Sequence, residues 1–194
     1  MSVVAVIASY LLGSVSFAIV VSRLMRLPDP RSYGSKNPGA TNVLRTGRKV
    51  AAALTLAGDA LKGLVAVLVV GLYVPEAVPY AVLAAFLGHL FPVWHRFQGG
   101  KGVATAAGVL FGLDWRLGLG TVATWVVIAA FLRYSSLAAL VAAVFAPFFT
   151  ALILGFGATF ACVLAMSALL IWRHHENIGR LIAGTESRIG AKKA

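Results

Sequence analysis

The sequence predicts an all-α, polytopic membrane protein of about seven transmembrane helices, with its N-terminus outside and its C-terminus in the cytoplasm. Three observations carry this. Of the 194 residues, 60% are hydrophobic and only 12% charged, and the mean hydropathy of +0.89 is far too high for a soluble domain of this size. The apolar residues fall into successive runs, most of them near the length that a bilayer requires. Basic residues gather in alternate loops, as expected when cationic loops stay on the cytoplasmic side.

The first apolar run starts almost at Met1 with no Lys or Arg before it, so no cleavable leader is expected, and Arg23 and Arg26 follow it, which places the N-terminus outside. Residues 3–22 read as one tilted span, in which Ser9, Ser14 and Ser16 can bond within the helix or to a neighbour. Leu27 to Lys49 is a basic loop. Pro28 and Pro30 argue against helix at its start, and Thr41 is placed to cap a short helix ahead of Arg45. Residues 51–72 form a second span carrying Asp59 and Lys62, three apart and so on one helix face. Charges at that depth are costly, and the pair fits either an internal ion pair that fixes packing or a support beneath a polar site. Pro75, Glu76 and Pro79 form an outer turn without basic residues.

Residues 80–94 return inward to His95, Arg96 and the Gly99-Gly100-Lys101-Gly102 loop, and 103–113 is a short apolar run. Both runs are short for full spans, so a re-entrant pair is an open alternative. Asp114-Trp115-Arg116 reads as an outer turn, 117–132 as a span, Ser135 to about Leu154 as another, and 158–172 as the last. The remainder, His174 to Ala194, is polar and basic. This arrangement puts 15 of the 17 Lys and Arg residues inside, leaving only Lys62 and Arg116 elsewhere. With no internal repeat and no low-complexity linker, residues 1–194 read as a single domain.

A net charge of +11 and a pI near 10.6 would suggest nucleic acid in a soluble protein, but here the cations lie between apolar runs and no nucleic-acid motif accompanies them. The expected partner is the lipid bilayer, not nucleic acid. Cys162 is the one cysteine and sits in an apolar run, which excludes an intramolecular disulfide and suggests a packing role. His174 and His175 are adjacent and diverge on a helix, and there is no HExxH. Neither a metal nor a cofactor is expected.

The topology brings three polar segments to one face: Gly34 to Lys49, Gly99 to Thr105, and His174 to Glu186. In the first, Ser35, Asn37, Thr41 and Asn42 can donate neutral hydrogen bonds, Lys36 and Arg45 add charge, and Gly34 and Gly39 allow close backbone approach. In the second, Lys101 stands among Gly99, Gly100 and Gly102. That segment is not a nucleotide P-loop, since His95 stands where the first Gly would be and Gly102 follows the lysine. Its spacing fits a tight turn as well as a phosphate cradle. In the third, His174 and Asn177 share a helix face and Arg180 and Glu186 follow. His89 and His95 read as packing or interfacial residues.

With Glu176 and Glu186 the only carboxylates in these segments, the combined site is strongly electropositive and suits an anionic ligand. There is no HxxxxD, no GxSxG and no cysteine placed as a nucleophile. The inventory is cations and donors without an evident nucleophile or base.

These segments, in this order and between these spans, closely resemble the bacterial membrane glycerol-3-phosphate acyltransferase family that uses acyl phosphate as donor. The resemblance covers nearly the whole chain. It rests on Gly34 to Arg45, on Gly99 to Thr105, on His174, Asn177, Ile178, Arg180, Leu181, Gly184 and Glu186, and on GDALKG around Asp59. The resemblance implies attack of the 1-hydroxyl of glycerol 3-phosphate on acyl phosphate, giving 1-acylglycerol 3-phosphate and phosphate, the first acylation of phospholipid synthesis. It carries phosphate-binding and catalytic roles onto Ser35, Asn37, Arg45, Lys101, His174 and Asn177, with Asn42 and Glu186 beside them. The competing classes are a permease or channel for phosphate-like anions and a non-catalytic lipid-binding scaffold. Against the permease stand the missing inverted repeat and the gathering of polar residues at one face.

Overall fold

The computed structural model describes residues 1–190, so the expected tail cations Lys192 and Lys193 lie outside the described residues. The described chain is helical throughout, with ten α-helices, two single-turn 3-10 segments and no strand. The predicted all-α class holds. Four segments are long and apolar enough to cross a membrane: α4 (Lys49–Tyr73), Pro75–His95, which contains α5 (Val78–Leu90), α7 (Trp115–Leu132) and α8 (Ser135–Leu154). A fifth is the bent pair α1 (Ser2–Gly13) and α2 (Phe17–Leu24). α6 (Val103–Leu113) and α9 (Ala158–Arg173) are shorter, so length alone yields four or five crossings where the sequence suggests seven. At ~1.5 Å per residue α6 extends roughly 17 Å, about half of the hydrocarbon thickness.

The segment expected as one span over residues 3–22 is not one continuous helix. Its two helices meet at 43°, and Ser14 to Ser16 lie between them. A break in apolar surroundings frees backbone groups that lipid cannot satisfy. Here they are met by α4: Lys62 Nζ donates to Val15 O at 2.6 Å, and Phe17 N–H donates to Asp59 Oδ1 at 3.4 Å. Lys62 and Asp59 are themselves paired at 2.8 Å, both buried. The internal ion pair is therefore the device that makes the bend tenable. Nothing within residues 3–22 announces it, because the bonding partners lie 42 and 47 positions further on.

α1 packs on α5, α4 lies along α6, and α8 sits between α7 and α9. The α4–α6 approach depends on small residues: a Cβ on Gly108 would lie 1.8 Å from Ala60 O, and one on Gly63 would lie 2.5 Å from Thr105 O. Without a hydrophobic drive between helices in lipid, such backbone contact is what holds the short α6 in place. The core formed by Phe86, Leu90, Leu110, Leu117, Met166 and Leu170 joins α5, α6, α7 and α9. Leu61, Leu68, Leu72, Phe131, Phe148 and Leu152 face outward, as helices in lipid require.

Asp114 is not a bare turn residue. Its side chain caps α7 by accepting from Arg116 N–H at 2.8 Å and pairs with the Arg116 guanidinium at 2.8 Å. The basic tail also holds a helix, α10 (His175–Ile182), and the first loop holds α3 (Ala40–Leu44), whose cap position is Gly39. Thr41 is therefore inside α3 and not its cap. Its hydroxyl meets Ser135 Oγ at 3.4 Å instead.

Candidate active site

The first polar segment is folded around Asn42. This buried side chain donates from Nδ2 to Pro30 O at 2.7 Å and Tyr33 O at 3.2 Å, while its Oδ1 accepts from Ser35 N–H at 3.0 Å. Both amide hydrogens and the oxygen of Asn42 bond within the loop, so this side chain builds the loop. Gly34, at φ +59°, is held against Asn42 Oδ1, which a Cβ would approach to 2.3 Å. The side chains of Ser35, Lys36 and Asn37 have no hydrogen-bond partner among the described residues, which leaves their donors free. Arg45 donates from Nη2 to Ser187 Oγ at 3.0 Å, tying the segment to the tail.

The second segment is clamped from two sides. Gly100 N–H donates to His89 O at 3.1 Å at the end of α5, and Arg173 donates to Gly99 O at 3.0 Å and Gly100 O at 3.3 Å from the end of α9. The Gly100 N–H is thus engaged by the end of α5. Gly102, at φ +82°, turns the chain into α6 with its face against Phe86 and Leu90. The outcome of this bracing is the placement of Lys101.

Lys101 Nζ donates to Asn177 Oδ1, joining the second segment to the third. The orientation of that amide follows from its other end, where Nδ2 donates to Glu186 Oε1 at 2.6 Å; a carboxylate can only accept. Glu186 is further held by Ser136 Oγ at 2.7 Å and by Arg180 Nε at 2.7 Å. Burial opposes its charge, and the bonds from Ser136, Arg180 and Asn177 more than offset this, so its carboxyl is held below the ordinary value. Burial, followed by the field of Arg180, lowers Lys101.

His174, at the junction of α9 and α10, is buried with Nδ1 2.8 Å from Leu170 O. A carbonyl only accepts, so Nδ1 carries the proton and Nε2 presents a lone pair. The sequence offered nothing to orient this ring; the preceding helical turn supplies it. Burial is the largest influence on His174 and, with Lys101 and Arg173 nearby, its pKa is pushed down to about 4. The imidazole is therefore neutral at pH 7.

The expected residues thus fall into one end of the bundle. Lys101, Asn177, Arg180 and Glu186 are directly linked, the field of Lys101 reaches His174, and the tail at Ser187 reaches Arg45. Gly39 stands at the cap position of α3, and Thr41 lies within that helix. Ser136 and Ser187 carry no signal in the sequence as isolated serines, and Arg173 is recognisable there only as a cation near the histidines, not as the clamp on Gly99 and Gly100. Among the described residues no group of three potential metal-ligating side chains forms a cluster.

The described residues form a helical membrane protein with a cationic, donor-rich cluster at one end, which defines a class suited to anionic ligands. The comparisons with known proteins are specific. Residues 3–184 match the family described as glycerol-3-phosphate acyltransferase. A glycerol-3-phosphate acyltransferase of Cupriavidus necator is 62% identical over 193 residues, 96% of each chain, and one of Burkholderia thailandensis is 63% identical over 194 residues, covering 97% of this chain and 96% of that one. The crystal structure of PlsY (YgiH), an integral membrane glycerol 3-phosphate acyltransferase in its glycerol 3-phosphate form, superposes with a TM-score of 0.93 at 38% identity over 97% of this chain and 96% of that chain. Its lysophosphatidic acid form superposes at 0.90. The chain belongs to the glycerol-3-phosphate acyltransferase family and is an integral membrane enzyme of that kind.

Proposed function

We propose that the enzyme transfers a fatty acyl group from acyl phosphate to the 1-hydroxyl of glycerol 3-phosphate, releasing 1-acylglycerol 3-phosphate and inorganic phosphate. The observation that carries this reading is the linkage of Lys101 through Asn177 to Glu186 beside a neutral His174, in a site with free donors at Ser35, Lys36 and Asn37. Such a site can neutralise and align two phosphates but offers no protein nucleophile. A donor whose leaving group is already phosphate suits it. The glycerol 3-phosphate and lysophosphatidic acid forms of the solved relatives support the acceptor and the product.

In the reaction the acceptor oxygen forms a bond to the acyl carbonyl carbon, the bond from that carbon to the phosphate oxygen breaks, and the hydroxyl proton passes to a phosphate oxygen. A phosphate with a second pKa of about 6 to 7 is matched to that task near neutrality. Lys101, Arg45 and Lys36 hold phosphate charge, and Ser35, Asn37 and Asn177 align the groups. His174 Nε2 accepts from the acceptor hydroxyl and positions it; at a pKa of about 4 it is a weak base. Positioning and fixed charge supply most of the rate.

The chain works as one domain in the bacterial cytoplasmic membrane, with the N-terminus outside, the tail and site on the cytoplasmic face, and α6 and α9 as short crossings that complete seven. The basic loops support that sidedness. Purified enzyme is expected to turn over acyl phosphate and to fail with acyl-CoA. Comparable rates with both donors would overturn the donor assignment.

A further inference from the structure

Asp59, Lys62 and His89 are buried, take no part in the steps above and are linked to one another, and His89 lies against the second polar segment. Lys62 Nζ has three acceptors: Val15 O at 2.6 Å, Asp59 Oδ1 at 2.8 Å and His89 Nδ1 at 2.9 Å. An ammonium has three hydrogens and no lone pair, so Nδ1 must accept and the His89 proton lies on Nε2, across the ring. Nε2 has no hydrogen-bond partner among the described residues. It abuts Gly100, where a Cβ would lie 2.3 Å from Nε2 and 3.1 Å from Cε1. The His89 carbonyl meanwhile accepts the Gly100 N–H at 3.1 Å, so one residue holds Gly100 from both its ring and its backbone.

Pro38 O, in the first polar segment, lies 3.0 Å from the same Cβ position. Gly100 is therefore the point where α5 and two of the three segments meet. Its φ is outside the left-handed region, so its backbone is open to any L-residue. What excludes a side chain there is space, and the nearest atom filling that space belongs to His89.

We propose that His89 is the positioning residue of the Gly99–Lys101 loop: locked by the Lys62–Asp59 pair, its ring and carbonyl set the seat of Gly100 and hence the place of Lys101 against Asn177. This role rests on the reading that Lys101 binds substrate phosphate. The motif glycine and the buried pair then form one device, in which a helix-break ion pair also sets the height of a catalytic cation.

The test is a double-mutant cycle between His89 and Gly100 in the purified full chain, with acyl phosphate and glycerol 3-phosphate as substrates. His89→Asn keeps an acceptor near Nδ1 for Lys62 and removes the ring edge against Gly100. It should retain a thermal midpoint in detergent close to that of the parent enzyme while kcat/KM falls by about 10², as a misplacement of roughly 1 Å can cause. Gly100→Ala should fall at least as far. In the double variant the methyl occupies the vacated space, and kcat/KM should recover about tenfold or more over Gly100→Ala. No recovery, a His89→Asn enzyme with parental kcat/KM, or a His89→Asn protein that does not fold would each overturn the role. Absence of acyl phosphate turnover by the parent enzyme would instead overturn the functional reading, and this role with it.

Discussion

Glu186 accepts a hydrogen bond from Asn177 Nδ2 at 2.6 Å, and this contact determines which end of the Asn177 amide faces Lys101. Nine residues of chain, including the end of α10 and the turn at Gly184, return to make it. The carboxylate thus orients an amide that in turn orients a cation. Replacing Glu186 by Gln keeps the shape but allows the Asn177 amide to reverse, since Gln both donates and accepts. The expected result is a fall in kcat of roughly 10- to 10²-fold, measured at saturating substrates. An unchanged kcat would remove Glu186 from this chain of orientation.

The cations proposed to hold phosphate should be costly to lose. Lys101→Met and Arg45→Met are expected to lower kcat/KM by about 10² or more, because charge held in place by its neighbours acts with little reorganisation. Lys101→Arg should not restore activity fully, since a guanidinium is a planar fork and not a compact point charge. Steady-state kinetics on the three variants checks this; a tenfold or smaller loss for Lys101→Met would contradict it.

For His174 the sign of the pH effect follows from burial. Its pKa of about 4 lies below the ordinary value near 6.5, so the neutral ring is the form present from pH 5 upward and nothing on this residue titrates between pH 5 and 8. A limb of the activity profile in that window is therefore not the titration of His174. His174→Ala is expected to lower the rate and leave the profile's shape intact. Loss of a basic limb near pH 6 to 7 in the variant, if the parent shows one, would make His174 the general base.

The ion pair at the helix break should behave as a unit. Lys62→Met leaves Asp59 buried without its partner and Val15 O without its donor, and a loss of about 3 to 5 kcal/mol is expected. Asp59→Asn combined with Lys62→Met should be milder than Lys62→Met alone. Thermal midpoints in detergent measure both, and a double variant less stable than the single one would refute the account.

Sidedness is open to direct chemical labelling. With Cys162 replaced by Ala, a cysteine at the exposed Arg48 should react with an impermeant maleimide only in inside-out vesicles. Reaction in right-side-out vesicles would place the site on the outer face.

How much of this was legible in the sequence depended on the range of the interactions involved. The helical class, the apolar runs and the gathering of Lys36, Arg45, Lys101, His174, Asn177 and Arg180 into three polar segments follow from hydropathy and local spacing, because the need to satisfy backbone groups in lipid acts within each segment. The residues' ordered motifs also pointed to the family. The bend at Ser14 to Ser16 was hidden, since its partners Asp59 and Lys62 lie in another helix. So were the structural commitment of Asn42, the clamp on Gly99 and Gly100, and the tautomers of His174 and His89. Each of these depends on which acceptor a donor finds once the chain has folded, whether a turn away, as for His174 and Leu170, or tens of positions away, as for Arg173 and Gly99, and only the tertiary structure decides that.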